Sequence, residues 1–131
     1  MVIADRYADS TLAYQGAGRG LPVPALQWLH TQACMDVWPD LTFLLELPRP
    51  TAEDRQRSQQ LPLDRFETAA DTFHSAVQQG FVELAAADPA RIVRIDASRP
   101  PAVVLTAIRE VALRRLAEHH PAAPDAGGGP R

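Results

Sequence analysis

Two apolar segments of strand length, separated by a long helical pattern, most strongly constrain the fold of this chain. Residues 41–47 read Leu-Thr-Phe-Leu-Leu-Glu-Leu without alternation of apolar and polar positions, and residues 91–96 read Arg-Ile-Val-Arg-Ile-Asp. Between them, apolar residues recur every three or four positions from Asp64 to about Ala87, which predicts a helix. A strand, a helix and a strand in this order indicate an α/β chain with a parallel sheet covered by helices on both faces.

The other segments extend the same pattern. Residues 2–4 are predicted to end a further buried strand. Residues 8–15 suit a helix that Asp9 or Ser10 can cap. Gly16 is expected to end that helix. Further helices are predicted over residues 24–38, over residues 51–58 and from Pro100 or Pro101 onward.

Length and composition narrow the class of protein. We expect one domain over residues 1–118 and a disordered tail over residues 119–131, which are rich in Pro, Gly and Ala. The net charge of -3 gives no reason to expect nucleic acid or an anionic membrane as a partner. Cys34 is the single cysteine, and no apolar run approaches the roughly 20 residues of a membrane span. We therefore expect a cytoplasmic protein that binds neither nucleic acid nor membrane.

All thirteen basic residues are arginine. This excludes a Walker A lysine or a Schiff-base lysine supplied by this chain. It leaves many planar guanidinium groups that suit phosphate oxygens. A general preference for arginine codons explains most of this bias.

The first polar residues of the chain form a candidate site. Asp5 and Arg6 directly follow the apolar run of residues 2–4. A carboxylate there could hold Mg²⁺ or a hydroxyl group, and a guanidinium could hold a phosphate. An exposed Asp-Arg couple is more often a solvated ion pair, but the carboxyl ends of parallel strands are where α/β proteins bind ligands.

A longer combination of segments is far more specific. Asp5-Arg6-Tyr7 is followed over residues 10–20 by Ser-Thr-Leu-Ala-Tyr-Gln-Gly-Ala-Gly-Arg-Gly. Together with later segments, this order closely resembles the bacterial thymidylate (dTMP) kinase family over roughly residues 2–117. The later segments are Pro39-Asp40-Leu41-Thr42, Leu63-Asp64-Arg65-Phe66-Glu67, and Leu84 to Asp88 leading into Ile95-Asp96-Ala97-Ser98.

The resemblance implies phosphoryl transfer from ATP to dTMP, giving dTDP and ADP, with Mg²⁺ bridging the nucleotides. It implies a P-loop NTPase-like fold of the nucleoside monophosphate kinase type, a parallel sheet flanked by helices. The family's Gly-x-x-x-x-Gly-Lys-Ser/Thr loop lies upstream of the segment that begins at Asp5. We therefore expect this chain to lack the first two strands, including the central P-loop strand, and to be poorly folded and inactive when expressed alone.

The same resemblance assigns roles on the acceptor side. Arg6 would grip the dTMP phosphate, and Asp5 would help to position that phosphate and Mg²⁺. Thr11 and Gln15 would face the thymine base. Tyr14 would pack on the sugar side, and its alternative role is plain core packing.

On the donor side, residues 51–65 match the family's lid. Arg55 and Arg57 would reach the ATP phosphates and act in catalysis. Arg65 would lie at the far end of the lid; the alternative for these arginines is a solvated charged helix. The loop of Ala97, Ser98 and Arg99 would support the adenine.

Two other functions remain open at this point. One is a deoxynucleoside kinase-like enzyme, which shares an Asp-Arg segment and the general fold. The other is a non-catalytic remnant that binds a nucleotide or a partner subunit without turnover. Full-length relatives form homodimers, and the helix predicted over residues 24–38 is a candidate contributor to such an interface.

Overall fold

The two segments predicted as strands pair in parallel. Strand β1 spans Thr42–Glu46 and strand β2 spans Ile92–Asp96. The computed structural model describes residues 1–48 and 67–119, and within them these two strands form the whole sheet. The predicted class, a parallel sheet flanked by helices, is confirmed.

Helices precede, connect and follow the strands. The long amphipathic helix predicted between the strands is present and ends where Asp88-Pro89 begins the turn into β2. The helical elements are α1 (Ala8–Thr11), a π-helical segment (Leu12–Gly18), α2 (Val23–Ala33), α3 (Glu67–Ala87) and α4 (Pro101–His119).

Helix α2 is shorter than the helix predicted over residues 24–38. Met35 and Asp36 adopt left-handed backbone conformations, with φ of 51° and 57°. An L residue in this conformation cannot continue a right-handed helix. The chain therefore leaves the helix after Ala33 and turns toward β1.

The helix predicted over residues 8–15 is present but longer, and it changes character. After one α-helical turn it continues through Gly18 as a π-helix, in which backbone hydrogen bonds span five residues. Gly16 lies buried inside this segment and does not end it. Neither Asp9 nor Ser10 caps the helix, because the capping position is Tyr7 and no side chain bonds there.

The π-helical segment packs against α3 so closely that two contacts require glycine. A Cβ atom at Gly80 would lie 2.5 Å from the Cβ of Ala17, and one at Gly18 would lie 2.6 Å from Cε2 of Phe73. Contacts this short exclude a larger residue unless the helices move apart. The apolar core around this contact comprises Ala8, Leu12, Ala13, Leu26, Val77, Ala85, Ile92 and Ile95.

Two expectations about the sheet are wrong. Residues 2–4 form no strand, and Val2 and Ile3 are 93% and 84% exposed. A strand needs a neighbour to satisfy its backbone groups, and none of the described residues pairs with this segment. The faces of β1 are also incompletely covered, since Leu45 is exposed.

Some predictions fall outside the described residues. These are the charged helix of residues 51–58, the lid of residues 51–65 and residues 120–131 of the predicted tail. The first residue of that predicted tail, His119, instead ends α4. Among the helices that the structure does describe, none combines the length and apolar character needed to cross a bilayer.

Candidate functional site

Arg6 and Tyr14, both predicted to face the acceptor nucleotide, lie together. Nη1 of Arg6 donates a hydrogen bond of 3.1 Å to the Tyr14 hydroxyl, and the guanidinium carbon lies 5.3 Å from the centre of the tyrosine ring. Arg6 is exposed and forms no ion pair with a carboxylate of the described residues. Within the described residues its positive charge thus has no carboxylate partner, which favours the binding of an anion.

Tyr14 is held by aromatic packing on α3. Its ring makes edge-to-face contacts with Phe73 and Phe81, at centroid distances of 6.0 Å and 6.2 Å. The ring is half-buried while its hydroxyl reaches Arg6. Core packing, the alternative considered from the sequence, thus accounts for the ring, and the hydroxyl has a separate contact.

The remaining acceptor candidates are less closely joined to this pair. Asp5 and Thr11 are exposed, and Gln15 is half-buried. The backbone carbonyl of Gln15 accepts a hydrogen bond of 3.0 Å from the amide of Leu21, which fixes the end of the π-helical segment. No hydrogen bond joins these three side chains to Arg6 or Tyr14 in the described part of the chain.

The structure contains a mostly buried ion pair that was not predicted from the sequence. One of its members, Asp9, lies three residues after Arg6. Nη1 and Nη2 of Arg91 donate to the two carboxylate oxygens of Asp9 at 2.8 Å and 2.9 Å. Asp9 also accepts from the hydroxyl of Thr42, and Arg91 also donates through Nε to Asp88. The Asp9 and Arg91 side chains are only 7% and 19% exposed. The cluster ties α1 to the residues that begin β1 and β2.

The surroundings lower the pKa of Asp9 and raise that of Arg91, and both shifts favour the charged forms. Burial by itself raises the pKa of Asp9, but hydrogen bonds from Arg91 and Thr42 outweigh it and hold that pKa below its ordinary value. The hydrogen bond to Asp9 raises the pKa of Arg91 against the effect of burial. Both groups are therefore charged at neutral pH.

A signal for this pair exists in the sequence but is not specific. Asp9 is spaced three and four positions before Leu12 and Ala13, which places it on the apolar face of the predicted helix. A carboxylate on such a face needs a cation or a set of donors. Thirteen arginines offer too many partners for the sequence to select Arg91.

Charged groups also lie at the carboxyl ends of the strands. Arg94 forms a bidentate pair with Glu46 across the two strands, with both N–O distances 2.8 Å. Asp96 accepts from the backbone amide of Ser98, and the hydroxyl of Ser98 lowers the pKa of Asp96. Among the described residues, no hydrogen bond or ion pair joins the loop of residues 97–99 to Arg6 or Tyr14.

The donor-side and metal candidates are only partly covered by the structure. Arg55, Arg57 and Arg65 lie outside the described residues. Within residues 1–48 and 67–119, no three His, Cys, Asp or Glu side chains come close enough to form a metal site.

The fold is that of a parallel α/β protein, because a helix joins its two parallel strands. The exposed arginine that contacts a tyrosine ring gives this protein a candidate anion site. Comparison with known proteins narrows this class. The family model described as thymidylate kinase matches residues 1–108. This chain belongs to the thymidylate kinase family, as the resemblance in the sequence predicts, and the family activity is the phosphorylation of dTMP.

Individual members of this family are also similar to the chain in sequence. The thymidylate kinases of Gluconobacter oxydans and Deinococcus radiodurans are 44% and 48% identical over 110 and 99 residues, covering 82% and 76% of this chain. That of Trichlorobacter lovleyi is 41% identical over 122 residues, or 89% of this chain. These matches cover 51%, 48% and 58% of the relatives' own lengths. The chain thus spans about half the length of the curated relatives it matches.

Proposed function

We propose that this chain supplies the acceptor-nucleotide side of a site that transfers the γ-phosphoryl group of ATP to dTMP. The observation that carries the proposal is the arrangement of Arg6. Its guanidinium is exposed, is oriented by the Tyr14 hydroxyl and ring, and has no carboxylate partner among the described residues. Several N–H donors therefore remain for the oxygens of a phosphate monoester.

Tyr14 has a second part in this proposal. Its ring is fixed against Phe73 and Phe81, so the hydroxyl holds the arginine from a rigid base. Gln15 and Thr11, the next candidates along the same helix, would face the thymine base. The amide of Gln15 offers both a donor and an acceptor to the edge of that base.

Mg²⁺ and ATP belong to the same proposal. Asp5 precedes Arg6 and is exposed, so it is available as one carboxylate ligand beside the bound phosphates. Mg²⁺ bound there would neutralise the charge of the nucleotide phosphates during transfer. Arg55, Arg57 and Arg65 would contact the ATP phosphates, and Ala97, Ser98 and Arg99 would support the adenine. A cytoplasmic location and homodimer formation through the segment of residues 24–38 complete the proposal.

Calorimetric titration of the chain with dTMP and with thymidine tests the acceptor assignment. We expect dTMP to bind at least about tenfold more tightly, because only dTMP carries the phosphate that Arg6 contacts. Arg6→Gln should weaken dTMP binding by about ten- to a hundredfold, the value of a charge-assisted hydrogen bond. It should leave thymidine binding unchanged. Arg109→Gln, which removes an exposed arginine from α4, is the matched control.

Four results would contradict or redirect the proposal. Equal affinities for the two ligands, or a dTMP affinity that Arg6→Gln does not change, would remove Arg6 from the phosphate site. A preference for thymidine would favour a deoxynucleoside kinase. Binding of dTMP without formation of ADP and dTDP from ATP would favour a nucleotide-binding module without turnover.

A non-catalytic role is the second candidate, and one observation favours it. The chain contains no lysine, so these 131 residues supply no Walker A lysine for the ATP phosphates. The turnover assay with ATP, Mg²⁺ and dTMP therefore separates the two candidates directly.

A further inference from the structure

Arg6 is held in an unfavourable backbone conformation. Its φ of 67° lies in the left-handed region, which residues other than glycine, asparagine and aspartate rarely adopt. The residues before it give no support, because residues 1–5 are exposed and belong to no helix or strand. The constraint must therefore come from the residues that follow Arg6.

Tyr7, the next residue, is fixed at both its backbone and its side chain. Its carbonyl accepts hydrogen bonds from the amides of Ser10 and Thr11, at 3.0 Å and 3.4 Å, in the first turn of α1. Its hydroxyl donates to the carbonyl of Val37 at 3.2 Å. A side-chain hydrogen bond with Cys34 raises the pKa of Tyr7 above its ordinary value.

The acceptor of the Tyr7 hydroxyl is itself part of an ordered cluster. Nε2 of His30 donates to the same carbonyl of Val37 at 2.8 Å, and the His30 ring contacts Tyr7 edge to face at 5.3 Å. The other neighbour of His30 is Trp38, at a ring distance of 4.2 Å. We call Tyr7, His30, Val37 and Trp38 the Tyr7 anchor.

Asp36 fixes the loop that carries Val37 and Trp38 of the Tyr7 anchor. Its Oδ1 atom accepts from the hydroxyl of Thr31 at 3.0 Å and from Nε1 of Trp38 at 2.9 Å. Its backbone amide donates to the carbonyl of Thr31 at 3.1 Å. The carbonyl of Val37 is therefore presented from a loop that is braced on α2.

We propose that Tyr7 is a positioning residue that holds Arg6 in the left-handed conformation from which its guanidinium meets Tyr14 and binds the acceptor phosphate. Tyr14 and Tyr7 then fix the two ends of Arg6: Tyr14 contacts the guanidinium, and Tyr7 fixes the backbone through α2. The inference rests on the proposed function for its ligand, and on the Tyr7 anchor for its mechanism.

The first test compares dTMP and thymidine affinities in Tyr7→Phe and Tyr7→Ala. Tyr7→Phe removes the hydroxyl with its hydrogen bonds to Val37 and Cys34 but keeps the ring, and we expect it to reduce the preference for dTMP by about threefold. Tyr7→Ala also removes the ring contact with His30, and we expect a reduction of about tenfold or more. Thymidine affinity should stay constant in both variants. Leu113→Ala, which shortens an exposed apolar side chain of α4, is the control and should change neither affinity.

A purely structural role for Tyr7 predicts a different result. Loss of folded protein would weaken both ligands by the same factor and leave the preference for dTMP intact. That outcome in Tyr7→Ala would overturn the positioning role.

A second measurement does not depend on nucleotide binding. A positive φ brings the amide and α protons of one residue close together, so Arg6 should show a strong intraresidue nuclear Overhauser effect between them in the free chain. We expect Tyr7→Ala to weaken this signal and Leu113→Ala to leave it unchanged. An unchanged signal in Tyr7→Ala would refute the inference.

The two measurements separate this inference from the proposed function. If Arg6→Gln leaves dTMP binding unaffected, or if the chain binds no dTMP, the proposed function fails and the Arg6 proton signal alone decides the role of Tyr7. If Arg6→Gln removes the preference for dTMP while Tyr7→Ala does not, the proposed function stands and the positioning role is wrong.

Discussion

Arg91 and Arg6 place the same guanidinium group in two regions of the molecule that use it in opposite ways. Arg91 is mostly buried and donates to Asp9, Asp88 and Thr42. Arg6 is exposed and has a neutral hydroxyl and an aromatic ring as its neighbours. The surroundings of an arginine, and not its residue type, thus decide whether its charge stabilises the fold or remains for a ligand.

The energetic contrast follows from burial. A buried pair gains little net stability from its attraction, but removal of one partner leaves an uncompensated charge in a region of low dielectric. An exposed arginine loses only a solvated contact when it is replaced. The same substitution at the two positions should therefore have very different consequences.

Arg91→Gln should have the largest effect on stability. It leaves the Asp9 carboxylate, which is 7% exposed, without its guanidinium, and we expect the free energy of unfolding to fall by about 3 kcal/mol. The matched variant Arg6→Gln should change it by less than about 0.5 kcal/mol. Urea unfolding followed by circular dichroism measures both values.

Arg94 gives a third measurement against which the losses at Arg91 and Arg6 can be compared. Arg94 forms a bidentate pair with Glu46, but its side chain is 54% exposed. Arg94→Gln should lower the free energy of unfolding by less than about 1 kcal/mol. Equal losses at the buried and exposed positions would show that burial does not distinguish the arginines.

Gly80→Ala should have an intermediate effect. The new methyl group would lie 2.5 Å from the Cβ of Ala17, so the π-helical segment that carries Tyr14 must move away from α3. Overpacking costs about 1–3 kcal/mol and the gain in helix propensity is about 1 kcal/mol, so we expect a net loss of up to about 2 kcal/mol. The melting temperature of Gly80→Ala against that of the exposed control Gln78→Ala measures it. A stabilised Gly80→Ala would mean that the two helices are not in close contact.

The smallest effect is the dependence of stability on pH that the Asp9 carboxylate contributes in the Arg91 region. The folded-state pKa of Asp9 lies below its ordinary value of 3.8. The pair therefore contributes its full stability above that value and loses it as the pH falls through the folded-state pKa. Between pH 7 and pH 3, Asp9→Asn should show a shallower decrease in unfolding free energy than the parent chain. Identical slopes would show that Asp9 does not titrate as a paired group.

Periodic patterns in the sequence predicted most of the regular structure. The segments around Phe43, around Val93 and from Phe73 to Leu84 are a strand, a strand and a helix, because apolar spacing directly reflects the geometry of each element. The same reasoning failed at Val2 and Ile3. An apolar run indicates a strand only if another strand is available to pair with it.

Two features of the site were beyond the reach of local patterns. The π-helical segment has nearly the same residue spacing as an α-helix, and its glycines suggested an end at Gly16. The pairing of Asp9 with Arg91 joins residues 82 positions apart, and only the tertiary fold selects this arginine among thirteen. In contrast, Arg6 and Tyr14 were identified as site residues from motif resemblance, and the structure brings them into contact.

The parallel sheet also affects the order in which parts of the chain are expected to fold. Thr42 pairs with Ile92 and Glu46 with Asp96, so every backbone contact between the strands closes a loop of about 50 residues. Contacts of this kind form slowly, because chain entropy is lost before they are made, whereas helices such as α3 need only near neighbours. We expect the helices to be the early events of folding and the sheet, with the ion pair at its start, to be the late one. Arg6, which precedes α1, therefore lies beside a scaffold whose last contacts to form join distant parts of the chain.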